Sequence, residues 1–369
     1  MQVYTVGGWV RDQLLGRPHG EGDRDWVVVG STPEQMVELG FRPVGRDFPV
    51  FLHPQTHEEY ALARTERKSG PGYRGFVVHA APDVTLEQDL ARRDLTINAM
   101  AIDQAGNLLD PFGGRADLQA RVLRHVGPAF VEDPVRILRL ARFAARLPDF
   151  RVAPETLSLA SRMVQQGEAD ALVPERVWQE LARGLKEARP SRMIEVLGQC
   201  GLLRRWATPL DGRPEVLVAL DRAADRGLPL PARFAILASS LPSPEALDRL
   251  LSRLRADQDS VQLARLLMQL SPDLERAATA LERLQVLERA DAIRRPERFE
   301  LLLAAYEALT GSSADAWRSA LAAVRSIDAG AIAARHEDDP AAIARALHEA
   351  RLAKLTDISP SAPGQKGPG

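Results

Sequence analysis

The strongest constraint on the fold is a stretch near the amino terminus that runs from Gly7 to Asp25 and reads GGWVRDQLLGRPHGEGDRD. Short apolar runs flank it, Val3–Val6 before and Trp26–Val29 after. This pattern predicts a strand, a Gly-Gly turn, a helix, a loop and a second strand. Alternate residues of a strand point to the same side, so we expect Asp23 and Asp25 to place two carboxylates side by side at one edge of a sheet.

The chemistry of this stretch favours a metal ion beside a phosphate. Its two aspartates would both be charged at neutral pH, since the unperturbed pKa of Asp is about 3.9, and they would repel each other without a cation between them. Mg²⁺ suits the position because it is held by one or two carboxylates together with substrate phosphates. Gly7 and Gly8 allow close backbone approach, the next helix offers N–H groups to an anion, and Arg11 lies on its first turn. A Gly-Gly turn or an Asp-x-Asp alone is usually a plain turn, but the two in this order are more specific.

Two common nucleotide-binding motifs are absent from this stretch. No G-x-G-x-x-G follows the first strand, and no G-K-[ST] occurs there. The sequence therefore contains neither a dinucleotide fingerprint nor a P-loop at this place.

The composition excludes several classes of protein. The 369 residues are 45% hydrophobic and 27% charged, which is typical of a folded globular protein of two or three domains. No run of about 18 apolar residues occurs, so we expect no membrane-spanning segment, and Met1 leads into a strand rather than a signal peptide. The single cysteine, Cys200, cannot form a disulfide within the chain and suits the reducing cytoplasm. Because the net charge is only −2, a nucleic-acid ligand would need basic residues concentrated on one face.

The distribution of local signals predicts an α+β protein. Residues 1 to about 110 contain short β-like runs, whereas the chain from about 115 onward is rich in Ala, Leu and Arg with helical spacing. Ser31–Glu34 (STPE) resembles a capping box that starts a short helix ending at Gly40. The polar segment Arg64–Gly75 predicts a flexible basic loop, and the Pro/Gly-rich end at 358–369 predicts disorder. The predicted strands are Val3–Val6, Trp26–Val29, Val50–His53, Tyr60–Arg64, Phe76–His79 and Ala99–Asp103.

A further carboxylate lies at the start of another candidate strand. Glu59 directly precedes the predicted strand Tyr60–Arg64. If that strand lies beside the strand that Asp25 begins, Glu59 would become a third carboxylate of the metal site. An exposed acidic strand end is an equally good interpretation of the same residues.

Two clusters of arginine predict an anion-binding surface. Arg92 and Arg93 precede Asp94 near the end of a helical segment, where their planar charged forks would bind phosphate or simply be solvated.

Asp133 before Pro134 predicts an N-cap and a helix start. The next helix carries arginines three or four residues apart, hence on one face, with no acidic partner on that face. A solvated face is the alternative, but the density favours a triphosphate, a nucleobase or RNA. This stripe consists of Arg136, Arg139, Arg142 and Arg146.

Together these motifs resemble those of the bacterial CCA-adding enzymes, which are tRNA nucleotidyltransferases of the polymerase-β-like superfamily, in the branch shared with bacterial poly(A) polymerases. The resemblance covers roughly residues 1–200, and the motifs occur in the family's order. The segments 45–52 (GRDFPVFL) and 63–68 (ARTERK) look like the CCA-adding rather than the poly(A) subgroup. The other motifs are Gly7–Asp12 (GGWVRD), Asp23–Asp25 (DRD), Arg92–Ala99 (RRDLTINA) and Glu132–Arg136 (EDPVR).

The resemblance implies a role for each candidate residue. Asp23 and Asp25 would hold magnesium and act in catalysis, with Glu59 as the candidate third carboxylate. Asp133 and Arg136 would offer acceptors and donors to the Watson–Crick edge of C or A, in place of a nucleic-acid template. The incoming CTP or ATP would be bound by Gly8, Arg11, Arg93, Arg139 and Arg142.

The resemblance also implies a domain order. A polymerase-β-like nucleotidyltransferase head with a small mixed sheet (1–112) would precede a helical neck that carries the nucleotide-binding helix (113–200). A helical body for tRNA (201–357) and a disordered tail (358–369) would follow. Long members of this subgroup carry a metal-dependent phosphohydrolase domain with a His-Asp pair. In this chain the corresponding Arg233–Leu237 runs into Ala-Ser-Ser without a His-Asp pair, so we expect that activity to be absent.

The implied reaction is untemplated addition and repair of the 3′-terminal CCA of tRNA from CTP and ATP, with release of pyrophosphate. Two magnesium ions about 3.5–4 Å apart would stabilise the attacking and leaving oxygens. The tRNA would be bound through its 3′ end and acceptor stem, by shape and phosphates. Nothing in the sequence specifies an oligomeric state.

Three other enzymes share the same motifs or chemistry. The alternatives are a poly(A) polymerase, an enzyme that adds only CC or only A, and a nucleotidyltransferase that acts on a small molecule. The long arginine-bearing helical half argues against the last of these. An RNA-binding protein without catalysis would not need paired carboxylates.

Overall fold

The computed structural model describes residues 1–17, 24–44, 49–68, 76–206, 213–336 and 339–358. The chain divides into two compact units, Met1–Trp206 and Ala207–Gly369. The first unit contains strands and helices, whereas every described element of the second is a helix, which confirms the predicted α+β class. The finer division at residues 112 and 200 stays a prediction. Within the described ranges, no helix is long and apolar enough to cross a membrane.

The strands all lie in the described part of the first unit. They are β1 (Gln2–Val6), β2 (Asp25–Val29), β3 (Arg42–Pro43), β4 (Val50–Leu52), β5 (Glu59–Leu62), β6 (Thr65–Lys68), β7 (Phe76–His79), β8 (Ala101–Ile102), β9 (Leu108–Leu109), β10 (Val122–Leu123) and β11 (Arg151–Val152).

Helices connect these strands and continue to the end of the first unit. They are α1 (Gly8–Leu14), α2 (Pro33–Glu38), α3 (Leu86–Ala91), α4 (Gly114–Ala120), α5 (Val135–Arg146), α6 (Pro154–Gln165), α7 (Pro174–Lys186), α8 (Pro190–Gln199) and α9 (Leu202–Trp206). Three short 3₁₀ helices cover Thr96–Asn98, Pro128–Glu132 and Glu168–Ala171.

The second unit is built from helices that pack around α11, whose side chains are mostly buried. Its described helices are α10 (Pro214–Asp225), α11 (Leu230–Ala238), α12 (Pro244–Arg253), α13 (Gln258–Arg276), α14 (Ala280–Arg289), α15 (Pro296–Thr310), α16 (Asp315–Arg325), α17 (Ala329–Ala333) and α18 (Pro340–Ile358).

Seven strands form one mixed sheet in the order β3-β4-β5-β2-β1-β8-β9. β1 pairs antiparallel with β2, and Val6 lies opposite Asp25. β2 pairs parallel with β5, and Trp26 lies opposite Tyr60. Parallel neighbours require a crossover connection, and this one contains α2. The sheet is therefore the small mixed sheet that the sequence predicts.

Alternation along β2 separates the two faces of this sheet. Val27 packs with Val6 and Leu90 in one apolar cluster, whereas Val28 packs with Met36 and other residues in a second cluster. Successive side chains of a strand point to opposite faces. Asp25 therefore lies on the Val27 face, and Trp26 lies on the Val28 face.

Three local predictions need correction. The capping box is shifted by one residue, because Thr32 rather than Ser31 is the N-cap and its reciprocal partner is Gln35 rather than Glu34. The first part of Arg64–Gly75 is not a loop, because β6 pairs with β7; residues 69–75 lie outside the described residues. Four strands of two residues each were not predicted, since such short runs depend on tertiary pairing and leave no period in the sequence.

Helix α4 packs so closely on the 3₁₀ helix Thr96–Asn98 that it tolerates no side chain at its first residue. A Cβ added to Gly114 would lie 2.3 Å from the carbonyl oxygen of Thr96 and 2.8 Å from Cγ of Met100. Since backbone cannot move aside cheaply, the fit between these elements requires glycine. This contact matters for the site because the 3₁₀ helix carries Asn98.

We expect Gly114→Ala to lower the free energy of unfolding by about 1–3 kcal/mol, as overpacking of a tight contact usually does. Urea denaturation measures this change. The matched control is Gly198→Ala in α8, where the nearest atom outside the helix lies 3.8 Å from the added Cβ and alanine favours the helix by up to about 1 kcal/mol. Equal stability of the two variants would contradict the prediction.

Candidate active site

An arginine-rich cleft of about 590 Å³ lies within the first unit, beside the start of β2. Small-molecule sites typically have volumes of about 300–1,000 Å³. Sixteen of the described residues line the cleft, of which nine are arginines and three are aspartates, so the cleft favours a polyanion. The lining residues are Gly7, Gly8, Arg11, Asp25, Arg64, Arg92, Arg93, Asp94, Asn98, Asp133, Arg136, Arg139, Arg142, Phe143, Arg146 and Arg176.

This cleft brings together most of the residues that the sequence singles out. Asp25 and all seven predicted nucleotide-binding residues, Gly8, Arg11, Arg93, Asp133, Arg136, Arg139 and Arg142, line it. Asp23 lies outside the described residues. Glu59 begins β5 at the level where Asp25 begins β2, but it is not among the cleft-lining residues in the described part of the chain. The catalytic and metal-binding roles of these carboxylates therefore stay predictions.

The Gly-Gly turn between β1 and α1 requires its first glycine. Gly7 has φ +74° and ψ −133°, a conformation that side chains with a Cβ rarely adopt. A Cβ at Gly7 would also lie 3.0 Å from Nη1 of Arg93 and 3.7 Å from Oδ2 of Asp25. The bare turn thus lets the start of α1, a carboxylate and a guanidinium approach one another closely.

Asp25 has the chemistry of a ligand for a hard cation. It is exposed, begins β2, and its carboxylate borders the cleft next to the Gly-Gly turn. Carboxylate oxygen is the ligand that Mg²⁺ prefers, so Asp25 fits a magnesium site. Among the described residues, which do not include Asp23, no group of three or more His, Cys, Asp or Glu is placed to hold a metal ion.

Arg11 is buried at one wall of the cleft and is held by two partners. Its Nε and Nη2 atoms each donate to Asp12 at 2.8 Å, and Nη1 donates to Oδ1 of Asn98 at 2.6 Å. Arg146 donates to the same Asp12 carboxylate at 2.9 Å. Burial opposes ionisation of Asp12, but the hydrogen bond and charge of Arg11, with the charge of Arg146, hold the pKa of Asp12 below its usual value. The carboxylate thus fixes two cleft arginines in place.

Asp94 is a second buried carboxylate that orders the cleft. It accepts from Nε of Arg139 at 2.7 Å, from the Leu95 N–H at 2.9 Å and from Nδ2 of Asn98 at 3.0 Å. Burial alone would raise its pKa, but the charge of Arg139 and these hydrogen bonds lower the pKa of Asp94 to about 2. The sequence marked this residue only as part of a motif, because nothing local predicts a partner 45 positions away.

A third buried carboxylate, Asp89 of α3, holds the adjacent arginines. Arg92 donates to it at 2.9 Å and Arg93 at 3.2 Å, and the Arg64 backbone N–H donates to it at 3.3 Å. Burial opposes ionisation, but the charges of Arg92 and Arg93 lower the pKa of Asp89. The alternative that these two arginines are merely solvated is therefore wrong.

The arginine stripe of α5 is likewise held by partners rather than simply solvated, and two of its four members are buried. Arg136 and Arg142 are only 8% and 7% exposed. Nε of Arg142 donates to Glu180 of α7 at 2.5 Å, and Arg136 donates to the carbonyl oxygens of Ala129 and Arg92, both at 2.6 Å. The helix itself supplies no acidic partner, as the sequence indicates, because the partners come from other elements.

Asp133 is not the N-cap of α5. The helix begins at Val135 with Pro134 at the cap position, but the Asp133 carboxylate still accepts from the Val135 N–H at 3.1 Å. Arg176 of α7 donates two hydrogen bonds to the same carboxylate, from Nη1 at 3.3 Å and from Nη2 at 2.8 Å. Arg176 has no local signal in the sequence, because it lies just after the helix-starting Pro174 and its partner lies 43 residues earlier.

We expect Asp94→Asn to lower the free energy of unfolding at pH 7 by about 2 kcal/mol. The pKa falls from 3.8 to about 2 on folding, and each pKa unit corresponds to about 1.4 kcal/mol. Because the folded pKa is the lower one, this stabilisation is fully present above about pH 4 and is lost as the pH falls toward 2.

Urea unfolding of the wild type and Asp94→Asn between pH 7 and pH 3 tests this prediction, and the difference between them should shrink as the pH falls. The control is Asp149→Asn, which removes the exposed carboxylate that lies 3.6 Å from Arg121; exposed pairs contribute about 0–1 kcal/mol. A difference between wild type and Asp94→Asn that does not change with pH would contradict it.

Comparison with known proteins identifies the family to which this chain is similar. The family model described as Poly A polymerase head domain matches residues 3–124. The CCA-adding enzyme of Bordetella bronchiseptica is 57% identical over 355 residues, which cover 96% of this chain and 96% of that protein. The multifunctional CCA protein of Leptothrix cholodnii is 54% identical, with 95% of each chain covered. That alignment spans 404 positions, more than the 369 residues of this chain, so the Leptothrix protein contains insertions relative to it.

Solved structures of CCA-adding enzymes share the fold. The Bacillus stearothermophilus enzyme in complex with CTP has a TM-score of 0.70 at 24% identity and covers 96% of this chain and 89% of its own. The Thermotoga maritima enzyme complexed with tRNA has a TM-score of 0.68 at 23% identity and covers 99% of this chain and 89% of its own. At these identities the likeness establishes the fold alone. The extensive identity to the curated relatives goes further: this chain belongs to the family of CCA-adding enzymes.

Proposed function

We propose that this protein adds and repairs the 3′-terminal CCA of tRNA, using CTP and ATP without a nucleic-acid template and releasing pyrophosphate. The observation that carries this proposal is the arginine-rich cleft, which joins a bare Gly-Gly turn to Asp25 in a chain 57% identical to a CCA-adding enzyme over 96% of its length. A nucleotidyltransferase needs these parts: a place for a triphosphate, a carboxylate beside it and room for an RNA end.

In the reaction, the 3′-hydroxyl of the tRNA attacks the α-phosphate of CTP twice and then that of ATP, and pyrophosphate leaves each time. The cleft arginines neutralise the triphosphate through charge-assisted hydrogen bonds. Gly8 allows the backbone at the start of α1 to approach a phosphate. Arg139 and Arg142 line the same cleft and are already oriented by Asp94 and Glu180, so binding orders few additional side chains.

Nucleotidyltransferases of this family depend on a metal ion. We assign Mg²⁺ to this role, held by Asp23 and Asp25, with Glu59 as a candidate further ligand. When bound, the metal stabilises the charge that develops on the attacking and leaving oxygens. We also place the reaction in the cytoplasm, because the one cysteine, Cys200, is a free buried thiol that suits a reducing compartment.

Selection of C or A would come from Asp133 and Arg136. A carboxylate accepts and a guanidinium donates hydrogen bonds, so together they can address the amino group and ring nitrogen of either base. Asp133 is restrained by Arg176 and by the Val135 N–H. A restrained acceptor discriminates well, because a wrongly placed base cannot pull it into a new geometry.

A poly(A) polymerase is the second candidate function. The description of the matching family model, Poly A polymerase head domain, favours it for residues 3–124. Such an enzyme would use ATP alone and would continue past one residue, whereas an enzyme that adds only CC or only A would stop early. Product length therefore separates all of these activities.

We expect the purified protein to add C-C-A to a tRNA transcript that lacks its 3′ end, when Mg²⁺, CTP and ATP are all present. Sequencing gels resolve the added residues. Addition of many A residues with ATP alone would identify a poly(A) polymerase, and arrest after CC, or a requirement for a CC-ended acceptor, would identify a divided pathway. Asp25→Ala should reduce incorporation by roughly a thousandfold, since loss of metal stabilisation costs several kcal/mol.

The Asp25→Ala variant should keep the wild-type thermal midpoint, because its side chain is exposed. Asp149→Asn, which changes another exposed carboxylate, is the matched control and should add CCA normally. Wild-type turnover by Asp25→Ala would show that the carboxylate has no part in the chemistry.

We expect Asp133→Ala to change the ratio of kcat/KM for CTP and ATP by roughly tenfold or more, because a hydrogen bond to a charged group contributes about 1.5–3 kcal/mol. Primer-extension assays with one nucleotide at a time measure the ratio. The control is Asp170→Ala, which removes an exposed carboxylate paired with Arg205. An unchanged ratio in Asp133→Ala would show that Asp133 has no part in base selection and serves only to bind the Val135 N–H and Arg176.

A further inference from the structure

The residue between the two predicted metal-binding aspartates, Arg24, makes an unusual set of contacts. Its Cζ atom lies 4.5 Å from the ring centroid of Trp9 and 5.4 Å from that of Trp26. Trp9 is the second residue of α1, and Trp26 is the second residue of β2. The guanidinium therefore bridges the helix that follows the Gly-Gly turn and the strand that Asp25 begins. We call these three side chains the Arg24 clamp.

The Arg24 clamp is anchored to the rest of the sheet. The indole of Trp26 stacks on the ring of Tyr60 in β5, with centroids 5.3 Å apart and planes inclined by 12°. Phe41 packs edge-on against Tyr60 at 5.0 Å. The Nε1 atom of Trp26 is buried and has no hydrogen-bond partner among the described residues. Ring contacts, rather than a hydrogen bond, therefore hold this indole in place.

Helix α1 is short and has no side-chain cap. The helix has seven residues, and its N-cap is Gly7, which has no side chain with which to cap it. Short helices are marginal without tertiary contacts. The pairing of β1 with β2 ends where Val6 lies opposite Asp25. Beyond that pair, the Arg24 clamp joins the helix to the residues on either side of Asp25.

We infer that Arg24 is a positioning residue for nucleotidyl transfer, which holds the start of α1 and the Asp25 carboxylate in one fixed relation so that phosphate and metal ion meet both. Asp25 lies on the Val27 face of the sheet, whereas Trp26 lies on the Val28 face. Arg24 therefore acts from behind the site, without touching the substrate. This inference rests on the proposed function, because it assigns Asp25 to the metal ion.

Positioning and simple electrostatics predict opposite signs for the loss of the Arg24 charge. A nearby positive charge repels a metal cation, so neutralising Arg24 would tighten metal binding if charge alone mattered. If Arg24 instead positions Asp25, the same change loosens the carboxylate and weakens metal binding. The sign of the effect on metal affinity therefore decides between the two.

The experiment measures binding of Mn²⁺ alone to the full chain, without nucleotide and without tRNA, by water proton relaxation, so that the ion binds as a free cation and no turnover is needed. We expect Arg24→Gln to weaken Mn²⁺ binding roughly tenfold, a factor within the range of a cation–π contact, and Arg24→Lys to lose less because it keeps the charge. Trp9→Leu should resemble Arg24→Gln, and the double variant should be no worse than either. Arg115→Ala, which removes an exposed arginine of α4, should bind as the wild type does.

Several outcomes would overturn the inference. Unchanged or tighter Mn²⁺ binding by Arg24→Gln would do so, as would losses in Arg24→Gln and Trp9→Leu that multiply in the double variant. The Mn²⁺ affinity of each variant is calculated per folded molecule, with the folded fraction taken from thermal unfolding. If Arg24→Gln is less stable, the Mn²⁺ affinity of Arg24→Lys tests the inference instead. Failure of the wild type to add CCA would contradict the proposed function and leave the binding comparison intact.

Discussion

Buried arginine charge is the constraint on which the rest of this cleft depends. Helix α5 places a stripe of buried and partly buried arginines in the wall of the cleft, and a buried charge without a partner would be strongly destabilising. Partners therefore come from separate elements, because Asp94 holds Arg139, Glu180 of α7 holds Arg142, and Asp12 of α1 holds Arg146. The same ion pairs that make burial tolerable also fix α5 against α1 and α7, so the geometry of the cleft and the stability of its walls share one set of contacts.

These pairs leave the cleft strongly cationic. Nine arginines of the described residues line it, and some of the carboxylates that hold them lie behind its walls, as Asp89 and Asp12 do. A cleft lined with one sign of charge raises the local concentration of the opposite ion and speeds its arrival. This concentration explains how a chain with a net charge of −2 can serve a polyanion, because nine of its arginines are gathered at one place.

The sequence predicted the mixed sheet and the Gly-Gly turn, and most of the residues it singled out line one cleft. Each has a local signal: alternation, a glycine pair, or arginines three or four residues apart. The sequence did not reveal what those arginines contact. Arg176 and Glu180 look like ordinary residues of an amphipathic helix, and their partners lie 43 and 38 positions away. Contacts of that separation depend on how α5 and α7 pack, which no window along the chain contains. The one-residue error at Asp133 has a similar origin, since Asp, Pro and Val at a helix start allow more than one capping arrangement.

Helix α7 links the residue proposed to select the base to a residue proposed to bind the triphosphate. Arg176 and Glu180 are four residues apart on α7, hence on one face of it, and they hold Asp133 and Arg142 respectively. Under the proposed assignment, Asp133 reads the base and Arg142 binds the triphosphate. A rotation or sliding of α7 would therefore move the base-reading and phosphate-binding groups together. In such an enzyme, a change that weakens selection between C and A would also weaken binding of the triphosphate, so base selectivity and nucleotide affinity would be coupled through α7.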